Sequence, residues 1–207
     1  MKASAKQNIL KKIKQALAKP VPLPFQKKVA EDFFVIKDDL EFLFAENFSA
    51  LQGRFSFCAN EAELVQQLQT LFTAREWKSV FINELPLKEK LFSNGLKIDV
   101  NVTLADCNAS ITTCEYLVAR TGSIVLSSAQ NGRTSSVYAP VHICIAYTNQ
   151  LVFDIKDGLN SIKQKYVSGL PSLITFASGP SRTADIEKTL VTGVHGPKEV
   201  FCFLVQS

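Results

Sequence analysis

Polar and apolar positions follow helical and extended spacing in turn along the first half of the chain. Between Glu61 and Phe72 the apolar residues recur every three or four positions, and Asn60 stands where a helix N-cap is expected. The same pattern predicts three other helices, over 38–51, 86–92 and 155–167. Strands are predicted over 54–58, 79–82 and 98–104. The order of elements in this first half is typical of βαβ units.

Short, almost wholly apolar runs dominate the second half. Such runs are typical of strands that are covered on both faces, and they predict strands over 116–119, 123–126, 141–147, 151–153, 173–177 and 200–205. The joints at Thr121-Gly122 and Thr148-Asn149 favour antiparallel pairs. Together the two halves predict a three-layer α/β domain with a mixed sheet.

The segment 175–197 has the densest polar chemistry in the chain. The apolar run that ends at Ala177 leads into a loop, 178–183, and the spacing after it predicts a helix over 184–192. Strand ends and helix N-termini converge where α/β proteins bind anions, so we expect a carboxylate or phosphate here. The expected ligand-binding residues of this loop are Ser178, Gly179, Ser181, Arg182 and Thr183. The alternative is an N-cap with an internal ion pair from Arg182 to Asp185 or Glu187.

Candidates for proton transfer lie close to that loop. His195 sits in a tight Val-His-Gly-Pro turn and is the first candidate general acid or base, followed by Glu187 and Asp185. His142, the other histidine, begins an apolar run, which favours a structural role. No residue is assigned as catalytic from the sequence.

Two further polar segments are open to two interpretations. Thr121, Gly122 and Ser123 join two apolar runs and are expected to contribute to ligand binding, although a tight hairpin uses the same residue types for geometry alone. The loop 127–136 is either a mobile lid or a solvated turn around Asn131-Gly132.

Composition limits the class of protein. The 207 residues are 46% hydrophobic, which suits one globular domain, and no apolar run reaches membrane-spanning length. The lysine-rich start lacks the apolar core of a signal peptide, so we expect a cytoplasmic protein. The five cysteines are odd in number and lack metal-ligand spacing, which predicts buried, reduced thiols and no metal site.

Charge is distributed unevenly. Residues 1–28 carry eight of the 23 basic residues and no acid, so the other 15 basic residues face 19 acidic ones in the body. The start of this arm has an apolar helical stripe, and Pro20, Pro22 and Pro24 follow it. We therefore predict a basic amphipathic helix and proline-rich linker over 1–28 and one α/β domain over 29–207. The stripe is expected to pack on the body, a second copy or a partner subunit. Nucleic-acid binding is not expected, because the sequence of the body indicates no basic surface.

Three segments together resemble a known family. Residues 121–126, 140–143 and 178–187, with 193–197, are similar to the signature of the LUD-domain family. The resemblance implies a fold like the NagB/RpiA/CoA-transferase-like domains and a role in oxidising L-lactate to pyruvate. It also implies partner proteins that carry the iron–sulfur clusters, with no cofactor bound by this chain.

Three functional hypotheses follow. The first is a non-redox subunit of a lactate-oxidising system that binds a small carboxylate, or its partners, through Ser181, Arg182 and their neighbours. The second is a stand-alone enzyme acting on a sugar phosphate or a CoA ester, which rests on analogy between folds. The third is a non-catalytic scaffold that docks through its basic arm. Homo-oligomerisation is compatible with each of them.

Overall fold

The structure is a computed structural model that describes residues 39–186 and 189–207. Three of its α-helices begin at polar side chains that accept hydrogen bonds from the first-turn amides. Asp39, Asn60 and Asp154 fill this role, and Asn60 Oδ1 accepts from the amide of Glu63 at 3.0 Å, as the sequence predicts. The helices in the described residues are α1 (Leu40–Ala50), α2 (Glu61–Ala74), α3 (Leu85–Ser93) and α4 (Ile155–Lys165).

The strands form a parallel sheet, a mixed sheet and a hairpin. In chain order they are β1 (Arg54–Cys58), β2 (Val80–Ile82), β3 (Ala109–Thr112), β4 (Tyr116–Val118), β5 (Ser123–Ser127), β6 (Val141–Tyr147), β7 (Leu151–Val152), β8 (Ile174–Ala177), β9 (Arg182–Ile186), β10 (Thr189–Thr192) and β11 (Glu199–Val205). The five-stranded sheet has the order β1-β11-β6-β3-β2, and all its pairs are parallel. The four-stranded sheet has the order β7-β4-β5-β8, and β9 pairs with β10.

The two larger sheets pack face to face. Alternate side chains of β6 and β11 point to opposite faces, so Ile143 and Phe203 pack with α2 and α3. Cys144 and Leu204 point the other way and pack with α1 and the four-stranded sheet. The far face of that smaller sheet is covered by α4, through Ile162. The order of layers is helices, parallel sheet, mixed sheet with α1, and α4.

The α/β class is therefore confirmed, but the layering differs from the sequence prediction. Parallel and antiparallel pairs lie in separate sheets, and four layers replace the predicted three. The apolar runs of β4 and β5 are covered on both faces because one face meets the parallel sheet and the other meets α4. Apolar patterning reports burial on both faces and cannot tell which layer supplies the cover.

Two element predictions are wrong, and one strand was not predicted. The predicted helix over 184–192 is the hairpin of β9 and β10, and its several β-branched residues favour extended backbone. The predicted strand over 98–104 is only an isolated bridge between Ser79 and Asp99. The sequence analysis missed β3, whose Ser110 and Thr112 are polar but completely buried.

All five cysteines are buried and free, as the composition predicts. The described residues contain no group of three or more His, Cys, Asp or Glu side chains placed to hold a metal ion. Across the described ranges, no helix has both the length and the apolar character needed to cross a membrane. The predicted arm and linker, 1–28, lie outside the described residues.

Candidate functional site

A cavity of about 250 Å³ lies beside the first residues of β6 and β11. We call it the inner chamber. Its wall combines the end of β8, the loop that follows β8, and the loop that precedes β11. The described residues lining it are Ser136, Val137, His142, Thr175, Phe176, Ala177, Ser178, Gly179, Pro180, Ser181, His195, Gly196, Pro197 and Val200.

The two loops of the inner chamber are held together by backbone contacts. The Ser181 amide donates to the Pro197 carbonyl at 2.9 Å, and the Gly193 amide donates to the Ser181 carbonyl at 2.9 Å. Gly196 lies so close to Ser181 that an added Cβ would come within 2.8 Å of the serine Cβ. This close approach requires glycine, and it brings His195 to the wall that Ser181 also lines.

His142 reaches the chamber from the buried interior. Its Nε2 is hydrogen-bonded to Thr112 Oγ1 at 2.9 Å, and its Nδ1 has no partner among the described residues. The side chain is 1% exposed, and burial lowers the pKa of its imidazole to about 4. The imidazole is therefore neutral near pH 7, with one ring nitrogen as donor and the other as acceptor.

The described lining of the inner chamber offers hydrogen-bond donors. Hydroxyls come from Ser136, Thr175, Ser178 and Ser181, and none of the described lining residues is acidic. His195 is exposed and stands at the wall, whereas His142 is enclosed. Such a lining suits a small anion or a small polar molecule, because hydroxyls and imidazoles stabilise an oxyanion that a carboxylate would repel.

A model of the LUD domain matches residues 43–205, which are most of the chain. The chain belongs to the LUD-domain family. The matched range includes the whole inner chamber, both histidines and every described helix except the first residues of α1. The family resemblance inferred from the sequence is therefore confirmed.

Several similar proteins share one name. A protein from Bacillus licheniformis named lactate utilization protein C is 37% identical over 112 residues, which are 52% of this chain and 47% of that protein. One of the same name from Bacillus velezensis is 34% identical over 142 residues, 67% of this chain and 56% of that protein. The chain spans about half the length of the curated relatives it matches.

A solved structure supports the architecture. The crystal structure of a DUF162 family protein from Deinococcus radiodurans has a TM-score of 0.60 against this chain and covers 81% of it, with 96% of that protein aligned. The two sequences are 19% identical, so the likeness concerns the fold alone.

The LUD-domain structure brings together only part of the predicted ligand-binding loop. Ser178, Gly179, Ser181 and His195 line the inner chamber. Arg182 and Thr183 instead belong to β9, and Arg182 Nη2 donates to the Leu51 carbonyl at 2.5 Å. No helix follows Ser181, so the predicted anion site at a helix N-terminus does not exist in this form. Asp185 is in β9 with its side chain undescribed, and Glu187 lies outside the described residues.

The segment Thr121, Gly122 and Ser123 lies behind the chamber wall. Gly122 has a left-handed φ of 56°, and an added Cβ would come within 2.5 Å of the Phe48 amide nitrogen in α1. The hydroxyls continue toward the chamber: Thr121 Oγ1 is 2.8 Å from Ser123 Oγ, which is 2.7 Å from Ser178 Oγ. The segment thus docks α1 and supports Ser178 rather than lining the chamber.

The polar loop 127–136 is pinned at its start. Asn131 is 1% exposed, and its Nδ2 donates to Glu84 Oε1 at 2.7 Å. The Thr113 amide donates to the same carboxylate at 2.8 Å. These contacts fix the first half of the loop, while Ser136 lines the inner chamber. Glu84 could not be found from its sequence context, because a lone acid before a helix is common on protein surfaces.

A second recess of about 450 Å³ opens beside the inner chamber. We call it the outer recess. It shares Val137, His195 and Gly196 with the chamber, so His195 stands between the two. Its other lining residues are Tyr138, Pro140, Gly193, Val194 and Lys198. Sequence analysis missed Tyr138 and Lys198, because neither belongs to a periodic pattern or a recognised motif.

Proposed function

We propose that this chain is the LUD-domain subunit of an L-lactate utilization system and that its inner chamber binds a small carboxylate such as L-lactate or pyruvate. The observation that carries the proposal is that both histidines of the chain line one chamber that is rich in hydroxyls and has no acidic group among its described lining residues. A chamber of about 250 Å³ is slightly smaller than the roughly 300–1,000 Å³ that is usual for ligand sites, which suits a three-carbon acid.

The relatives support the biological setting of the proposal. Several proteins at about 35% identity carry the name lactate utilization protein C. We propose that the chain acts in the cytoplasm beside iron–sulfur proteins that carry the redox chemistry, and that it binds no cluster itself. The fold is proposed to be of the NagB/RpiA/CoA-transferase-like type.

Four residues of the chamber have a proposed role. The Ser178 and Ser181 hydroxyls and the Gly179 amide donate to the carboxylate. His195 is the candidate proton carrier, because it is exposed on the wall and not enclosed like His142. Glu187 and Asp185 remain predicted acid or base candidates. Arg182 and Thr183 contribute only if the hydrogen bond from Arg182 to Leu51 is released.

Isothermal titration of the purified full chain tests the proposal. L-lactate and pyruvate are titrated beside glucose 6-phosphate and coenzyme A. We expect the carboxylates to bind, and Ser181→Ala and His195→Gln each to weaken them by about ten-fold, since a hydrogen bond to a charged group is worth roughly 1.5 kcal/mol. Ser93→Ala, which removes a hydroxyl in α3 far along the chain, is the matched control.

The titration also separates the alternatives. Binding of the sugar phosphate or coenzyme A without the carboxylates would favour a stand-alone enzyme. If the chain binds none of the four compounds, the carboxylate proposal is wrong and a non-catalytic scaffold becomes the better description.

A further inference from the structure

The outer recess is lined by apolar groups that no other part of the described chain covers. Tyr138 is 64% exposed, Val194 43% and Val137 40%. Large apolar side chains are normally exposed one at a time, so three around one concavity indicate a binding surface. Tyr138 presents an aromatic ring that a planar ligand can stack on.

Lys198 adds a positive charge to the lining of the recess, and its backbone is held in place. Its amide donates to the Pro140 carbonyl at 2.8 Å. Its side-chain stem crosses Gly193 so closely that an added Cβ on the glycine would overlap the lysine Cγ. Gly193 also has a left-handed φ of 78°, so both its conformation and the space above it call for glycine. The lysine stem therefore packs against Gly193, and both residues line the recess.

The described residues that line the recess do not neutralise its positive charge. None of the described residues lining the recess is acidic, and Lys198 has no ion-pair partner in the described parts of the chain. His195 lines the same recess. A ligand that fits this environment carries both an apolar planar ring and a negative charge.

We propose that the outer recess binds a nucleotide, with its base against Tyr138 and its phosphates at Lys198. Aromatic side chains stack bases of any sequence, and a lysine ammonium is a common partner of phosphate oxygens. Since His195 separates the recess from the inner chamber, the nucleotide lies next to whatever the chamber holds. The inference goes beyond the proposed function, because nucleotide binding here does not require that lactate bind in the chamber.

Size favours a small molecule over a protein partner. The recess is concave and encloses about 450 Å³, within the usual range for ligand sites. A protein partner instead needs a contact area on the order of 800 Å² on each side, and such surfaces are commonly flatter. Three exposed apolar residues around a concavity are enough for a base and too few for a stable protein interface.

Another recess, separate from the outer recess, serves as an internal comparison. It has a volume of about 470 Å³ and is lined by Trp77, Lys78 and Lys97, among others. It has a ring and positive charge, but Glu76 also lines it, and an acid beside a phosphate is unfavourable. Nucleotide binding is therefore expected at Lys198 and not at Lys97.

Isothermal titration of the full chain with ADP, adenosine, inorganic phosphate and coenzyme A tests the proposal. We expect ADP to bind more tightly than adenosine or phosphate. Lys198→Gln should weaken ADP binding about ten-fold and leave adenosine binding unchanged, since it removes only the contact to phosphate. Tyr138→Ala should weaken the binding of ADP and of adenosine alike, by about ten-fold, because both lose the stacking contact. Lys97→Gln is the matched control and should bind ADP as the unmodified chain does.

The outcomes are distinguishable. Binding of coenzyme A with the same dependence on Lys198 and Tyr138 supports the recess and shows that the nucleotide is part of a larger ligand. If ADP does not bind at millimolar concentration, or if Lys97→Gln weakens it as much as Lys198→Gln, the proposal is wrong. L-lactate titrated into Lys198→Gln reports on the inner chamber separately, so failure of one proposal leaves the other to be judged alone. Both substituted side chains are exposed, and equal thermal midpoints confirm that the variants fold.

Discussion

The imidazole of His142 and the hydroxyl of Thr112 form a 2.9 Å hydrogen bond in the space between the two larger sheets. The bond joins neighbouring strands of the parallel sheet, β6 and β3, whose register places Thr112 beside Cys144. It also fixes the ring that forms part of the chamber wall. Stability and the shape of the proposed site therefore depend on the same pair of side chains.

Stability is expected to fall on acidification because His142 resists protonation in the folded protein. Its pKa is lowered from 6.5 to about 4 by burial. Between these values the unfolded chain binds the proton more tightly, so the free energy of unfolding falls as the pH falls through this window, by roughly 3 kcal/mol for this group. Urea unfolding at several pH values from 7 to 4 measures it.

Two variants isolate the histidine from the carboxylates that titrate in the same window. His142→Gln should lose this part of the pH dependence, whereas His195→Gln should keep it. If His142→Gln and the unmodified chain lose equal stability between pH 6.5 and 4, the burial of a neutral imidazole is not the cause.

The Thr112 hydroxyl is expected to matter more than its methyl group. Thr112→Val keeps the shape but leaves the buried Nε2 without a partner, which should cost about 1–3 kcal/mol. Thr112→Ser keeps the hydroxyl and loses one methyl, worth about 0.8 kcal/mol. The free energies of urea unfolding should rank serine above valine. The opposite order would mean that packing, and not the hydrogen bond, governs this position.

The sequence predicted elements whose signals are local. Helix α2 shows an amphipathic stripe and the N-cap Asn60, and β6 and β11 are continuous apolar runs, so each could be found from neighbouring residues alone. Strand β3 could not, because Ser110 and Thr112 look like surface residues. Their burial follows from pairing with β6, where Ser110 lies opposite His142.

The candidate site was predicted in part for the same reason. The glycine, proline and serines directly after an apolar run predict the loop that follows β8. His142, Tyr138 and Lys198 reach the two cavities through the pairing of β6 with β11 and the loops before these strands, which no local pattern encodes. The predicted helix over 184–192 failed because antiparallel pairing of β9 with β10 outweighs helical spacing in a short segment.

The Glu115 carboxylate is expected to be a strong structural contact, since it is 3% exposed and has three donors. Ser127 Oγ, Lys165 Nζ and Tyr166 Oη donate to it at 2.5, 2.7 and 2.6 Å. Burial acts to raise its pKa, but these hydrogen bonds outweigh burial and the pKa is lowered. Glu115→Gln places an amide N–H₂ group among hydrogen-bond donors and should lower the free energy of unfolding by roughly 2–3 kcal/mol. The loss is smaller than for a fully buried ion pair because Lys165 is half exposed.

An exposed ion pair provides the control for Glu115. Arg54 is 57% exposed where it meets Glu199, so Arg54→Gln should change the free energy of unfolding by less than about 1 kcal/mol. Equal losses in the two variants, measured by urea unfolding, would contradict the structural importance given to Glu115.

Gly179 is expected to tolerate alanine far less well than Gly95, although both have left-handed backbone, with φ of 79° and 91°. Nothing lies within 4 Å of an added Cβ at Gly95, so Gly95→Ala should cost only the conformational strain, about 1 kcal/mol. At Gly179 the Cβ would overlap the carbonyl oxygen of Leu51, the C-cap residue of α1, and the same oxygen accepts from Arg182. The loop must therefore move away from α1, and Gly179→Ala should lose at least about 1 kcal/mol more of the free energy of unfolding than Gly95→Ala.

Because the same loop lines the inner chamber, carboxylate binding should weaken in Gly179→Ala and not in Gly95→Ala. Equal stability and binding in the two variants would mean that the contact between Gly179 and Leu51 does not hold the loop.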